Sequence, residues 1–275
     1  MAKFSPFYLT THGQRQQFDE PVVMGILNAT PDSFFAGSRK QTEAEIADRA
    51  NAIISEGGVM IDVGACSTRP GGIVVDEAEE LARMRHALEI VRREQPDAIL
   101  SIDTFRPSVA MMAIEEFGAD IINDISEGEV FVPGDDTLLD TMRSAHTGYI
   151  LMSQRPTMET TAELFREKVA FLTSKGIEDI ILDPGYGFGK DIAQNYAMLR
   201  EQHQLKTFGL PVLAGVSRKR MIWQLLGTSP AEALNGTTVV NTIALMEGAD
   251  ILRVHDVREA AEAVKIHSSL FTFNP

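Results

Sequence analysis

Apolar residues rich in Val, Ile and Leu gather in short runs along the chain. Each run is followed by a polar or glycine-rich turn and then by a longer segment with helical spacing. The runs are Val22–Leu27, Met60–Val63, Ile99–Ile102, Asp120–Asn123, Gly148–Met152, Ile180–Leu182, Val212–Gly215 and Ile251–Val254, eight in all. The spacing predicts helices over Thr42–Ser55, Asp76–Arg93, Pro107–Glu116, Met158–Ser174, Gln194–Gln202, Pro230–Glu247 and Arg258–Leu270. Pro107 and Pro230 suit a first helical turn, and Asp76 with Glu77 complements the positive end of a helix dipole. Residues Met1–Pro21, with Phe4, Phe7, Tyr8 and Phe18, are too few for a domain and are expected to form a hairpin closing the floor beneath the strands.

Near-continuous apolar strands mean burial on both faces, as in a parallel sheet covered by helices. Eight strand–helix units without a domain-sized interruption favour closure into a (β/α)8 TIM barrel with a short N-terminal extension, one domain over residues 1–275. An open doubly wound sheet is the alternative that the pattern alone separates poorly from it.

Composition narrows the function classes. A formal charge of −14, from 25 Lys and Arg against 39 Asp and Glu, disfavours nucleic acid and anionic membrane as partners. No apolar run approaches the roughly 18 residues of a membrane span, and Met1–Pro6 lacks a signal peptide's apolar core, so a cytoplasmic protein is expected. The single cysteine, Cys66, excludes an internal disulfide framework. A small anionic substrate would need a local concentration of cations against this background field.

Chemistry in such a barrel belongs at the C-terminal ends of the strands. The residues there are Asn28, then Ser67-Thr68-Arg69, Asp103, Asn123-Asp124, Met152, Asp183, Ser217-Arg218-Lys219, and Arg253 with His255. Asp103, Asn123 and Asp183 are acceptors suited to a heterocycle with amino and ring N–H donors, while Arg69, Lys219, Arg253 and His255 suit a diphosphate. Each residue has a plainer reading: Asp103 as the N-cap of the helix at Pro107, Asn123 or Asp124 as turn residues, His255 as structural, Arg69 as part of an exposed turn. Their gathering on one rim favours function. The segment Asp183–Lys190 is not a Walker loop, because Pro184 and Asp191 stand where Gly and Ser or Thr are needed. Its glycines read instead as letting backbone approach a planar ligand beside Phe188.

These residues resemble the dihydropteroate synthase family. The matching pieces are Met24–Phe34, Ser67–Gly71, Ser101–Thr104, Ile121–Asp124, Leu182–Gly185 with Gly187–Lys190, Gly215–Lys219, Gly236-Thr237 and Arg253–Val257, in order along the chain. The resemblance implies an enzyme of folate biosynthesis that condenses (7,8-dihydropterin-6-yl)methyl diphosphate with 4-aminobenzoate, a transferase, a sulfonamide target and often a homodimer. It implies that Asp103, Asn123 and Asp183 hold the pterin's polar edge, with Met152 against the ring and Arg253 over it. It implies that Thr68, Arg69, His255 and Asn28 serve the diphosphate, Asn28 through Mg²⁺, that Lys219 contacts the pterin, and that Pro70, Phe188, Ser217 and Lys219 line the 4-aminobenzoate pocket. Asp103, Lys219 and Arg253 are the residues expected to carry catalysis.

Three departures mark this chain. Phe35-Ala36-Gly37-Ser38 replace the family's Ser-Asp-Gly-Gly, which removes a loop acid whose role is either dispensable or taken by Asp32. Cys66 stands for the usual Glu, and Met152-Ser153-Gln154-Arg155-Pro156 is shorter than the usual turn after Met-His. Two other functions remain open on sequence: a pterin-barrel methyltransferase acting on a corrinoid protein, which would not need the cationic cluster, and a pterin-binding paralogue without turnover.

Overall fold

The computed structural model describes residues 4–29, 39–66 and 75–272. Two antiparallel strands, β1 (Phe7–Thr11) and β2 (Gln14–Phe18), come first, turning through His12 and Gly13, both at positive φ (49° and 71°). That pair of left-handed residues is what a two-residue hairpin turn needs for its twist to match the strands. Eight strands follow: β3 (Val22–Asn28), β4 (Met60–Gly64), β5 (Ile99–Asp103), β6 (Ile121–Asp124), β7 (Gly148–Met152), β8 (Ile180–Asp183), β9 (Leu213–Ala214) and β10 (Ile251–Val254). They pair in parallel in the order β8-β7-β6-β5-β4-β3-β10-β9, and a bridge between Leu182 and Val212 closes the ring. Closure excludes the open doubly wound sheet.

The interior follows from the period-2 geometry of strands. Every barrel strand sends at least one apolar side chain into a single inner cluster: Val22 and Met24 from β3, then Met60, Ile99, Ile121, Ile150, Ile181, Leu213 and Ile251. Phe7, Leu9 and Phe18 of the hairpin join it from below, with Phe7 and Phe18 stacked at 4.8 Å. The N-terminal segment therefore plugs the floor, as its aromatic residues suggest. Buried carboxylates tether it: Asp179 accepts from Thr10 N (2.6 Å) and pairs with Arg15, and Asp120 accepts from His12 N (2.7 Å). The opposite faces of the strands pack against the helices in a second, larger core.

The helices among the described residues are α1 (Arg39–Ser55), α2 (Glu77–Glu94), α3 (Pro107–Phe117), α4 (Thr137–Ala145), α5 (Met158–Ser174), α6 (Ile192–Glu201), α7 (Arg220–Leu226), α8 (Leu234–Met246) and α9 (Val257–Thr272). Asp76, Thr157 and Asp191 cap α2, α5 and α6 by accepting backbone N–H groups. Two helices are additional to those the spacing predicts. α4 buries only Leu138, Leu139 and Met142, too short a stripe to register as periodic, and α7 is only seven residues long. The expected helix from Pro230 divides into a 3-10 turn, Pro230–Glu232, and α8.

The buried face of α9 carries an oddity at its end. His267 is 4% exposed, and neither ring nitrogen has a hydrogen-bond partner among the described residues. Its ring meets Phe271 edge-on at 5.3 Å, and burial pushes its pKa below the ordinary value. Above that ordinary value, about 6.5, the ring is neutral folded or unfolded. As pH falls below it, the unfolded chain takes up a proton that the folded ring resists, so this residue removes stability on the acid side. Urea midpoints measured from pH 7.5 to 5.5 are expected to fall less steeply for His267→Phe than for the unaltered protein; parallel slopes would contradict this account.

Candidate active site

Above the apolar layer the inward positions become polar. Register aligns Asn28 with Gly64, Gly64 with Asp103, and Asp103 with Asn123, one row of rim residues across β3 to β6, while Met152 aligns with Asp183 across β7 and β8. A Cβ at Gly64 would lie 3.7 Å from Asn28 Oδ1 and 3.6 Å from Asp103 Cβ, so these side chains stand together.

The centre of the layer is Arg253, projected inward from β10. Its Nε donates to Asp62 Oδ2 (2.6 Å) and its Nη2 reaches both Asp62 Oδ2 (2.6 Å) and Asp103 Oδ2 (2.6 Å). Asp62, fully buried on β4, also accepts from Ser101 Oγ (2.6 Å) and from Asn123 Nδ2 at 3.2 Å to each oxygen. Asp103 Oδ1 is buried with no hydrogen-bond partner among the described residues. Burial, helped by the negative charges of Asp62, Glu80 and Asp124 and opposed by Arg253, raises Asp103 to about 7. Arg253 stays cationic: burial alone would lower its pKa, but Asp62 and Asp103 together raise it. Asp103 is not a helix cap, since Arg106 occupies the N-cap position of α3.

The loop after β8 builds the second wall. Asp183 accepts from Gly185 N (2.8 Å), and burial raises its pKa against the pull of Lys219. Gly185 sits at φ 68°, where a Cβ would fall 2.0 Å from Ser153 O, so only glycine lets the loops after β7 and β8 meet this closely. Lys190 clamps the contact, its Nζ donating to Ser153 O (3.0 Å), Gly185 O (3.0 Å) and Phe188 O (3.2 Å). Lys219 donates to Tyr186 O and lies 4.8 Å from the Phe188 ring centre, a cation–π contact. Burial lowers Lys219 to about 8 against the attraction of Asp183. Its Nζ and Arg253 Cβ both lie 3.9 Å from where a Cβ on Gly215 would stand, so the two cations share one chamber.

Lys219 and Ser217 are aimed by Arg218, which sits at φ 52° between them. Its guanidinium forks onto Asp256 (2.9 and 2.8 Å) and also donates to Pro230 O and Ala231 O (2.9 and 2.7 Å), which holds the left-handed backbone in place. Ser217 Oγ accepts from His255 N (3.1 Å), and Arg49 on α1 donates to His255 O (2.7 Å) and Ile26 O (3.0 Å). The shortened turn after Met152 is fastened by Glu127, which accepts from Gln154 N (2.7 Å) and pairs with Arg155 (3.1 Å).

Asn28, Asp103, Asn123, Met152, Asp183, Phe188, Ser217, Lys219, Arg253 and His255 thus end at the same rim. Thr68, Arg69 and Pro70, and the loop with Asp32 and Phe35–Ser38, lie outside the described residues. Reasoning from strand ends missed Asp62, Ser101, Lys190 and Arg49. Asp62 is found only by alternation: with Met60 and Gly64 it forms the inward set of β4. Among the described residues no group of three His, Cys, Asp or Glu side chains could hold a metal. The exposed amide oxygen of Asn28 nevertheless fits Mg²⁺, which takes oxygen donors and is often held by one or two protein ligands together with substrate phosphates. Nor is any described helix long and apolar enough to cross a membrane.

Known proteins resemble this chain in sequence and fold. The family model for pterin-binding enzymes matches residues 24–255. The curated dihydropteroate synthase of Escherichia coli (strain K12) is 37% identical over 268 residues, covering 94% of each chain. Among solved structures, Xanthomonas albilineans dihydropteroate synthase with 4-aminobenzoic acid is 33% identical, with TM-score 0.86 over 98% of this chain and 100% of that one. Yersinia pestis dihydropteroate synthase in a sulfonamide drug complex is 35% identical, with TM-score 0.83 over 97% and 99%. With the barrel, the polar layer and these relatives in agreement, the chain belongs to the dihydropteroate synthases of the pterin-binding enzyme family.

Proposed function

We propose that the rim described above condenses (7,8-dihydropterin-6-yl)methyl diphosphate with 4-aminobenzoate, giving 7,8-dihydropteroate and pyrophosphate for folate biosynthesis. The observation that carries this reading is the division of the chamber: acceptors on Asp103, Asn123 and Asp183 beside cations on Arg253 and Lys219. The methyltransferase alternative does not account for those cations.

The pterin's amino and ring N–H donors go to the acceptors, including Oδ1 of Asp103, which has no partner among the described residues, with Met152 against the ring. Arg253, held from one side by carboxylates, lies over the heterocycle and turns toward the diphosphate with Thr68, Arg69 and His255. Asn28 would contribute an oxygen to Mg²⁺, which when bound would neutralise charge on the diphosphate. The C–O bond from the pterin methylene to the diphosphate breaks, and its electron pair leaves with the diphosphate. Carboxylate at Asp103 stabilises the electron-poor methylene, and cations stabilise the departing anion. The amine of 4-aminobenzoate forms the new C–N bond and then loses a proton. Phe188, Pro70, Ser217 and Lys219 hold this second substrate in line, so positioning and electrostatics rather than a covalent protein intermediate supply the catalysis. The 4-aminobenzoic acid in the Xanthomonas albilineans structure and the sulfonamide in that of Yersinia pestis support the second pocket and sulfonamide sensitivity.

We place the protein in the cytoplasm as a homodimer, without nucleic-acid or membrane partners. Support for the dimer comes from outward apolar residues on neighbouring helices: Leu225 and Leu226 on α7, Val239 and Ile243 on α8, and Ile266 and Leu270 on α9, each 39–66% exposed. Sedimentation should give a dimer for the native chain and a monomer for Val239→Glu/Ile243→Glu; a native monomer contradicts the assignment.

Lys219→Ala and Asp183→Asn are each expected to lower the rate of dihydropteroate formation by at least about tenfold, roughly 1.4 kcal/mol of barrier. Near-normal turnover in both variants would dismantle the site.

A further inference from the structure

Asp62 lies one inward position below Gly64 in the rim row and is 0% exposed, so it does not itself line the mouth of the site. Its partners are nevertheless the groups that do. Each Asp62 oxygen lies 3.2 Å from Asn123 Nδ2, and Oδ2 also accepts from Arg253 Nε at 2.6 Å. The two ends of an asparagine amide are nearly the same in shape and opposite in hydrogen-bonding sense, so something must decide which end faces a ligand. An ionised carboxylate accepts and cannot donate. It therefore draws the NH₂ end of Asn123 downward and leaves Oδ1 for the chamber above. The same carboxylate holds Arg253 at two nitrogens, whereas Asp103 takes only Nη2, so Arg253 can release Asp103 to a ligand without losing its anchor.

We propose that Asp62 is a positioning residue that sets the selectivity of the site, fixing Asn123 as an acceptor for the substrate's 2-amino edge and holding Arg253 in place. This rests on the pterin reading given above. An amide at position 62 removes the device. Its oxygen can still accept from Arg253, but its NH₂ end then meets Asn123, which reverses and presents its own NH₂ to the ligand. The site would then tolerate a 2-oxo acceptor where it had required a 2-amino donor.

The test compares 6-hydroxymethylpterin with 6-hydroxymethyllumazine, in which a 2-oxo group replaces the 2-amino group, by calorimetry on the full chain. The native protein should favour the pterin by at least about a hundredfold, because a site built for a donor rejects the analogue that lacks it. Asp62→Asn should narrow that ratio to within about tenfold and raise the KM for the pterin diphosphate, while the KM for 4-aminobenzoate stays within about twofold. A purely structural role for Asp62 would weaken both ligands together and leave the ratio unchanged. A folded Asp62→Asn protein with native selectivity overturns this inference alone, whereas a native protein that binds neither probe removes the pterin reading as well. A second readout needs no variant. In protein labelled with ¹⁵N-asparagine, the side-chain amide protons of Asn123 should resist solvent exchange with and without the pterin, and rapid exchange in the complex overturns the assignment.

Discussion

The interaction on which the rest of this structure depends is the contact of one guanidinium with two carboxylates inside the barrel. Arg253 touches Asp62 and Asp103 in a layer where water is largely excluded, and there an unpaired charge costs several kcal/mol. The arrangement is stable because the donors and acceptors are nearly all matched: Ser101 and Asn123 satisfy Asp62, and Arg253 spreads its charge over both acids. Among the described residues one acceptor, Asp103 Oδ1, is left over. A buried oxygen without a donor is a poor structural element and a good binding element, because a ligand N–H recovers what the fold leaves unmade.

The architecture exists to hold that layer at one height. Parallel register sets Asn28, Gly64, Asp103 and Asn123 side by side, and the apolar side chain that each strand sends inward beneath them keeps water from entering below. The hairpin completes the floor with Leu9 and Phe18. At the open end, the loops after β8 and β9 are fixed by cations acting on backbone: Lys190 gathers three carbonyls, and Arg218 binds two carbonyls and Asp256. These contacts leave Lys219 and Phe188 facing each other over the chamber.

Much of this was legible in the chain because strands buried on both faces write themselves as apolar runs, and because a barrel places the residues that end or follow each run on one rim. Asp103, Asn123, Asp183, Lys219 and Arg253 were found in that way. Asp62 was not, although it holds the same third place in the run Met60–Val63 that Arg253 holds in Ile251–Val254, because the rim beyond that run was assigned to Ser67-Thr68-Arg69. Only its inward parity with Met60 and Gly64 sets it apart. Lys190 stood in a quoted motif without a role, since its partners are carbonyl oxygens that no side-chain pattern announces. The helices α4 and α7 were too short to show a period, and the long segment after Pro230 hid a break that a 3-10 turn fills.

The central claim is that this layer brings two substrates together and expels a diphosphate. The most direct test is pyrophosphate release by the purified protein with Mg²⁺ and dihydropterin diphosphate, with and without 4-aminobenzoate. The account predicts release that depends on both substrates and matches dihydropteroate formed mole for mole. Tight pterin binding with no pyrophosphate released in the presence of 4-aminobenzoate would contradict it.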